Sequence, residues 1–259
     1  MHLGQLATRL RRSGPLPVDN LVLYESVSST NDVGRRIASV WPGDLVLPPT
    51  LLVALEQRAG RGRDGRPWVS PPGSGAYVTL VWPLEDRRVL ARTPLAVAVG
   101  LCEALRSIGV RSCRVKWPND LVVGERKLGG ILIEVSGPAT GPARAIIGCG
   151  INVAIERERL GSLAAASIES ETGSAPALSE VVTGGVRAVC RELRDLEERT
   201  NLVGRYRDKI VHRPGDRLIW RQGREIIEGR YRAIDGNGCL ELETESGLRV
   251  VNAGEIVVG

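Results

Sequence analysis

The sequence is organised around one stretch, Gln57-Arg58-Ala59-Gly60-Arg61-Gly62-Arg63-Asp64-Gly65-Arg66-Pro67-Trp68. Its three glycines permit backbone conformations that other residues avoid, while Arg61, Arg63 and Arg66 supply planar cationic groups that suit phosphate or carboxylate. Apolar runs at 51–55 and 76–82 flank the stretch and are typical of strands. We therefore predict a loop between two strands that closes over an anion.

The glycine spacing of this loop also matches the dinucleotide fingerprint G-x-G-x-x-G. That motif requires a helix directly after the glycines. Here Pro67 and the proline- and glycine-rich run 70–75 follow instead, so a Rossmann fold is rejected. A solvated arginine-rich loop without a ligand stays open as an alternative. A disordered Arg-Gly segment that binds RNA is disfavoured, because the apolar flanks indicate order.

Length and cysteine usage restrict the class of protein. A chain of 259 residues accommodates one large domain, or a large and a small one. Its five cysteines are odd in number, widely spread and without a C-x-x-C pair, which argues against a disulfide framework and a zinc site. We expect a reducing compartment. The chain shows no signal-peptide pattern and no apolar run long enough to span a bilayer, so we predict a cytoplasmic protein with no membrane partner.

The choice of basic residue is unusual. The chain carries 35 basic residues and a formal net charge of +5, yet only Lys116, Lys127 and Lys209 are lysines. Two lysines in one short segment indicate places where a compact ammonium group is required. Histidine is equally rare, since only His2 and His212 occur. A Ser-His-Asp or Cys-His mechanism therefore has no credible base.

Hydrophobic periodicity predicts the elements in order. A helix at 1–10 precedes a strand at 21–25, and Ser29 or Thr30 caps a helix that runs to about residue 40. Glycines at 184–185 are expected to interrupt the late helical region. The other predicted elements are strands at 51–57 and 76–82, a helix at 94–107, strands within 115–134 with a kink at Pro118, a strand at 145–153, a short element at 163–167, a mainly helical region at 178–202, and short strands at 216–220, 225–234, 240–243, 248–251 and 256–258.

Five short motifs follow one another in the first three fifths of the chain. They are Ser29-Thr30-Asn31, Gly60-Arg61-Gly62-Arg63-x-Gly65-Arg66-x-Trp68, Lys116-Trp117-Pro118-Asn119-Asp120, Lys127-Leu128-Gly129-Gly130-Ile131-Leu132 and Gly148-x-Gly150-Ile151-Asn152. In this order they resemble the biotin protein ligase family. Where the family more often has alanine or cysteine, this chain has Gly129, a small-for-small difference. No sequence before Leu21 is long enough for the DNA-binding domain of bifunctional members, so the resemblance implies a monofunctional ligase with no DNA partner.

The resemblance implies an α+β fold of the class II synthetase and biotin–lipoate ligase type. We expect a mixed β-sheet catalytic domain flanked by helices at 1–210 and a small Src-homology-3-like β-barrel at 211–259. The implied reaction activates biotin with ATP to biotinyl-5′-AMP. It then transfers biotin to a lysine of the biotin carboxyl carrier domain of a biotin-dependent carboxylase. ATP is a substrate accompanied by Mg²⁺, and no permanently bound cofactor is expected. The sequence leaves the oligomeric state open.

The resemblance also assigns roles to individual residues. It makes Lys127, Arg61 and Arg63 catalytic and Asp120 a candidate magnesium ligand. The implied biotin site comprises Ser29, Thr30, Asn31, Gln57, Gly60, Arg61, Gly62, Arg63, Lys127, Gly130 and Gly148. The implied nucleotide site comprises Arg66, Trp68, Lys116, Asn119, Asp120, Ile151 and Asn152.

Three other functions remain open at this point. A lipoate-type ligase would share the fold and the adenylate chemistry. A catalytically silent biotin sensor would share the motifs without the reaction. A nucleic-acid-binding protein would use the arginine loop and the barrel, and it predicts steeply salt-dependent binding to RNA or DNA.

Overall fold

The computed structural model describes residues 2–40, 48–138, 142–155, 165–194, 196 and 201–257. These residues form two β-sheets, with helices packed on both faces of the larger one. The helices are α1 (Leu3–Arg12), α2 (Thr30–Val40), α3 (Thr93–Ser107), α4 (Ile168–Thr172), α5 (Leu178–Arg194) and α6 (Leu202–Arg207). The strands are β1 (Asn20–Val27), β2 (Thr50–Gln57), β3 (Gly75–Leu84), β4 (Arg114–Lys116), β5 (Asp120–Val123), β6 (Arg126–Ser136), β7 (Ala143–Asn152), β8 (Arg217–Gln222), β9 (Glu225–Ile234), β10 (Leu240–Thr244), β11 (Gly247–Val251) and β12 (Glu255–Val257).

The larger sheet has seven strands in the order β1-β2-β3-β7-β6-β5-β4. Only β1 and β2 run parallel, and the other neighbouring pairs are antiparallel. The predicted mixed sheet flanked by helices is confirmed. Because β7 lies between β3 and β6, the sheet brings the second and fifth motifs together although they are far apart in sequence.

Helix α2 covers one face of this sheet. A Cβ atom added at Gly34 would lie 3.0–3.2 Å from Thr79, Ile146 and Val81, so a glycine lets the helix approach the sheet closely. Ser29, Thr30 and Asn31, at the start of α2, are all buried. They border an opening on the same face of the sheet.

Helices α3 and α5 cover the opposite face and pack against each other. A Cβ atom at Gly100 would lie 3.0 Å from the backbone of Ala188, so the two helices touch almost backbone to backbone. The predicted break at Gly184-Gly185 is wrong, because α5 continues through both residues. Gly185 faces Leu101 of α3, and tertiary packing there outweighs the weak helix propensity of glycine.

The smaller sheet is antiparallel, with five strands in the order β11-β10-β9-β8-β12. Its core consists of alternate inward-facing residues, among them Trp220, Tyr231 and Leu242, which are at most 4% exposed. These strands match the five predicted short strands. Closure of the sheet into a barrel and a domain boundary at residue 210 stay predictions.

The smaller sheet rests on the turn between β4 and β5. Trp117 Nε1 donates a 3.0 Å hydrogen bond to the carbonyl of Gly238, and Arg207 Nε donates to the carbonyl of Ile234 at 2.9 Å. Gly238 has a φ of 87° and lies directly against Leu95 of α3, so the β9–β10 turn requires glycine twice over. The second sheet is thus packed against the first.

Most predicted helices and strands are confirmed within a few residues. Parts of three predicted elements lie outside the described residues. They are residues 163–164 of the element at 163–167, residues 195 and 197–200 of the helical region 178–202, and Val258 of the last strand. Ala165 forms a parallel bridge with Lys127. Within the described ranges, no helix has the length and apolar character needed to cross a membrane.

Candidate functional site

A cavity of about 430 Å³ opens on the α2 face of the larger sheet. It brings all five motifs together, and two residues of β12 complete its wall. Gly60 and Ile151 are the two predicted site residues that do not line it. The predicted residues that do line it are Ser29, Thr30, Asn31, Gln57, Arg61, Gly62, Arg63, Arg66, Trp68, Lys116, Asn119, Asp120, Lys127, Gly130, Gly148 and Asn152.

Gly60 and Ile151 lie behind the wall of the cavity. A Cβ atom at Gly60 would lie 2.6 Å from the carbonyl of Trp68, so this glycine lets the loop fold back on itself. The side chain of Ile151 lies in the core on the opposite face of β7 and is 3% exposed. Their assigned roles in binding stay predictions and would have to act through the backbone.

Glycines on two strands make the floor of the cavity flat. A Cβ atom at Gly150 would lie 2.5 Å from the ring of Trp68, and one at Gly130 would lie 3.2 Å from the same ring. A Cβ atom at Gly148 would overlap the amide oxygen of Asn31. Side chains therefore rest directly on the backbone of β6 and β7, which only glycine permits.

One end of the cavity is a buried cluster of hydroxyl and amide groups. Thr79 Oγ1 lies 2.8 Å from Thr30 Oγ1 and 2.7 Å from Asn31 Oδ1. The backbone N–H and the hydroxyl of Thr30 both donate to Gln57 Oε1, at 2.9 and 3.0 Å. Asn31 Nδ2 donates to Glu134 at 3.0 Å. Such fixed donors and acceptors recognise a neutral polar group of defined shape.

The glycine-arginine loop is folded over the cavity. Gly62 N–H donates to the Arg66 carbonyl at 2.7 Å, and Trp68 N–H donates to the Gly60 carbonyl at 2.8 Å. Asp64 adopts a left-handed conformation with a φ of 56° at the tip. The loop predicted from the sequence is therefore ordered, with a short 3₁₀ turn at Arg63–Gly65.

Three arginines fix this loop to three different parts of the chain. Arg61 pairs with Asp32 in the first turn of α2. Arg63 Nη1 donates to Asn119 Oδ1 at 3.2 Å and to the carbonyl of Gly254 at 2.8 Å. The loop is thus held by the smaller sheet as well as by the larger one.

The third arginine pairs with a strand of the smaller sheet. Arg66 Nη2 donates to Glu255 Oε1 at 2.7 Å, and the same guanidinium lies 2.6 Å from Glu255 Oε2. This two-point contact holds the pKa of Glu255 below its ordinary value and raises the pKa of Arg66. The pair is therefore charged at neutral pH.

Lys127 lines the cavity between Asp120 and Trp68. Its Nζ is 2.8 Å from Asp120 Oδ1 and 5.4 Å from the centre of the Trp68 ring. Its carbonyl accepts hydrogen bonds from Asn152 Nδ2 at 3.2 Å and from Ala166 N–H at 2.9 Å. The backbone of Lys127 is thus fixed on both sides, while its ammonium group faces the cavity.

Two buried donors in the wall have no hydrogen-bond partner within the described residues. They are Nε1 of Trp68 and Nε of Arg61. A buried polar atom without a partner is unfavourable by about 1–3 kcal/mol. A polar ligand in the cavity would remove this penalty.

Asp120 is poorly equipped to hold a metal ion by itself. No group of three or more histidine, cysteine, aspartate or glutamate side chains is close enough to bind a metal within the described residues. One oxygen of Asp120 is already bound by Lys127. Magnesium commonly uses one or two carboxylates together with substrate phosphates, so Asp120 fits as a single ligand in such an arrangement.

The sequence analysis missed three residues that shape the site. Thr79 is the one polar side chain in the apolar run 76–82, and Glu134 ends the apolar run 131–133, so both carried a weak signal. Glu255 could not be recognised from the sequence, because its partner Arg66 is distant in sequence. His212 is no part of this site: its side chain is 9% exposed and packs against Tyr231.

The comparisons with known proteins agree with this architecture. The sequence profile of the biotin/lipoate A/B protein ligase family matches residues 23–152, and that of the biotin protein ligase C-terminal domain matches residues 219–259. The bifunctional ligase/repressor BirA of Escherichia coli is 32% identical over 97% of this chain and 78% of its own length. The biotin--[acetyl-CoA-carboxylase] ligase of Paracoccus denitrificans is 31% identical over 80% of this chain and 90% of its own length. Among solved structures, the biotin protein ligase from Aquifex aeolicus in complex with biotin and ATP has a TM-score of 0.75 and 27% identity, covering 92% of this chain and 98% of that one.

Proposed function

This chain belongs to the biotin/lipoate A/B protein ligase family, and from that membership we propose that it activates biotin with ATP and transfers the biotinyl group to a lysine of a carboxyl carrier domain. One observation carries the proposal. A buried cluster of neutral polar groups and a set of fixed cationic groups border the same cavity. That arrangement suits a substrate with a polar ring at one end and a carboxylate at the other.

The first step joins two anions, so it depends on cationic groups. A carboxylate oxygen of biotin attacks the α-phosphorus of ATP, the bond to pyrophosphate breaks, and biotinyl-5′-AMP forms. Lys127 and Arg63 offset the negative charge and hold the reacting groups in line. Each charge-assisted hydrogen bond contributes about 1.5–3 kcal/mol. No histidine base is needed, because the attacking carboxylate is already ionised.

The polar end of the cavity favours biotin over lipoate. Thr30, Asn31 and Gln57 line the cavity and offer donors and acceptors to the ureido group of biotin, while Thr79 holds Thr30 and Asn31 from behind. The dithiolane ring of lipoate has no N–H or carbonyl group, so it would leave these buried groups without partners. A site that loses such hydrogen bonds rejects the analogue strongly.

The other end of the cavity is assigned to the nucleotide. Trp68 provides an aromatic face for adenine, while Lys116, Asn119 and Asn152 provide polar groups. Asp120 would hold Mg²⁺ together with phosphate oxygens, and the ion would offset phosphate charge when bound. The closed glycine-arginine loop separates the mixed anhydride from water until the acceptor lysine arrives.

The decisive experiment is ATP–pyrophosphate exchange with biotin, with lipoate and without either. We expect biotin-dependent exchange that Lys127→Ala lowers by about 10- to 150-fold, the equivalent of 1.5–3 kcal/mol. Arg126→Ala is the matched control, because the adjacent Arg126 pairs with Glu171 and does not line the cavity. Exchange that depends on lipoate would show that the substrate is lipoate and not biotin. Exchange with neither acid would contradict the proposal.

A further inference from the structure

The reactive product of the proposed reaction forms on a protein that has very few lysines. Biotinyl-5′-AMP is a mixed anhydride that acylates primary amines, and side-chain amines in proteins come from lysine. This chain has 35 basic residues but only three lysines, so the other 32 are arginines. Lysine is ordinarily among the commonest residues of soluble proteins.

Arginine cannot replace lysine as a nucleophile at neutral pH. At pH 8, about 1 in 250 exposed lysines is neutral, against fewer than about 1 in 30,000 arginines, from their ordinary pKa values. The arginine charge is also delocalised over a planar group. A surface whose positive charge comes from arginine therefore presents almost no acceptor for an activated acyl group.

Two of the three lysines are held in ion pairs. Lys209 is 7% exposed, and its Nζ lies 3.1 Å from Glu103 Oε1 and 3.4 Å from the Arg205 carbonyl. Lys127 Nζ lies 2.8 Å from Asp120 Oδ1. Each ion pair holds the ammonium group against its carboxylate, so attack on an acyl carbon would first require that contact to break.

Lys116 differs from both. It is half-buried on β4 and lines the cavity in which the mixed anhydride would form. It forms no ion pair with any residue that the structure describes. Its cross-strand partner Asp120 is engaged by Lys127 instead. Lys116 thus combines proximity to the activated acyl group with an amine that no carboxylate holds.

We propose, resting on the proposed function, that this chain is nearly inert toward biotinyl-5′-AMP and that Lys116 is its single side-chain site of self-acylation. In that reaction the neutral Nζ of Lys116 attacks the acyl carbon. A C–N bond forms, the C–O bond to the phosphate breaks, AMP leaves, and the amine loses its proton to solvent.

The test uses chemically prepared biotinyl-5′-AMP, so it does not depend on the enzyme's own adenylation. The full chain is incubated with the reagent at pH 8 beside a lysine-rich bystander such as serum albumin. Labelled lysines are then mapped and counted by mass spectrometry. We expect no more than one labelled lysine per chain, at Lys116, while the bystander is labelled at many positions.

Matched variants show whether the arginine surface is the cause. Arg111→Lys and Arg224→Lys each add one amine at an exposed position outside the cavity, and neither arginine forms an ion pair within the part of the chain that the structure describes. We expect each new lysine to be labelled at least about 10-fold more than Lys209. Labelling mainly at Lys127 or Lys209, or no label at Lys116 while the bystander reacts, would overturn the assignment. Unlabelled new lysines would overturn the account of the surface.

Pyrophosphate release with ATP and biotin is measured on the same preparation. Failure of that assay would contradict the proposed function, whereas the mapping result stands on the added reagent. The proposed ligase function and the proposed acylation of Lys116 can thus be refuted separately.

Discussion

Replacing Glu255 with glutamine tests whether the smaller sheet holds the glycine-arginine loop closed. The substitution keeps the shape and one oxygen acceptor but removes the charge that faces Arg66. A less firmly held loop should let biotinyl-5′-AMP escape faster. The substitution lies outside the reacting groups, so pyrophosphate exchange should change less than product retention.

The size of the effect follows from exposure. The side chain of Arg66 is 62% exposed and that of Glu255 is 28% exposed, so solvent screens the pair. Exposed pairs contribute about 0.2–1 kcal/mol, and we take about 1 kcal/mol because the contact is made at two points. That corresponds to about a 5-fold faster release. Arg63→Gly removes hydrogen bonds to Asn119 and to the Gly254 carbonyl, so about 2 kcal/mol and about a 30-fold faster release are expected.

The assay measures retention of the product. Enzyme loaded with labelled biotin and ATP is passed through a desalting column, and the bound biotinyl-5′-AMP is followed with time. Labelling of bystander lysines in a protein mixture gives a second readout. Glu228→Gln is the matched control, because Glu228 is exposed on β9 and does not line the cavity.

The pH dependence is a further check on this pair. Arg66 lowers the pKa of Glu255 from its ordinary value of 4.5, so the contribution of the pair is complete above that value. It is lost only as the pH falls through the lower value in the folded protein. The contribution of this pair to product retention should therefore be constant between pH 6 and 9. Retention by Glu255→Gln equal to that of the wild type, with Arg66→Ala equally unchanged, would refute the reasoning.

Three other predictions concern binding and stability. Gly148→Ala should weaken biotin binding by at least about 10-fold in calorimetry, because the added Cβ atom displaces the Asn31 side chain. Equal affinity of the variant and the wild type would show that Asn31 can move without loss of binding. Burial lowers the pKa of His212 from 6.5 to about 4, so the unfolded chain binds the extra proton and stability falls as the pH drops from about 6.5 toward 4. Urea titrations should show about 3 kcal/mol more loss over that range than in His212→Leu, and parallel curves would contradict this. Glu192→Ala should lower the free energy of unfolding by about 1.5–3 kcal/mol, since it removes the two hydrogen bonds at 2.7 and 2.9 Å to Arg205, which keeps its 2.8 Å contact with Glu103; a loss below about 0.5 kcal/mol would argue against it.

The sequence predicted the parts of the site that depend on local chemistry. Gly130 and Gly150 belong to motifs that the sequence showed, and the Trp68 ring lies on the backbone at both positions. Lys127 was predicted as a site residue, and it lines the cavity. Helix and strand positions followed from periodicity, because most segments bury one face.

Features that depend on contacts between residues distant in sequence could not be predicted from local sequence. Glu255 and Arg66 are nearly two hundred positions apart, and neither residue signals the other. The uninterrupted helix at Gly184-Gly185 depends on its packing against α3, which outweighs local propensity. Likewise, Thr79 differs from its apolar neighbours by one hydroxyl group, and only the fold gives it its partners Thr30 and Asn31.

The order of strands in the larger sheet has a consequence for synthesis of the chain. Strand β3 ends at Leu84, but its neighbour β7 ends only at Asn152, roughly 70 residues later. At about 5–20 residues per second, the apolar edge of β3 waits about 3–14 s on the ribosome without its partner. Strands β6 and β7 are adjacent both in sequence and in the sheet, so they can pair as a hairpin before docking on β3. The ligand cavity therefore cannot form before β7 docks on β3, and until then the open edge of β3 is a place where the nascent chain is exposed to aggregation.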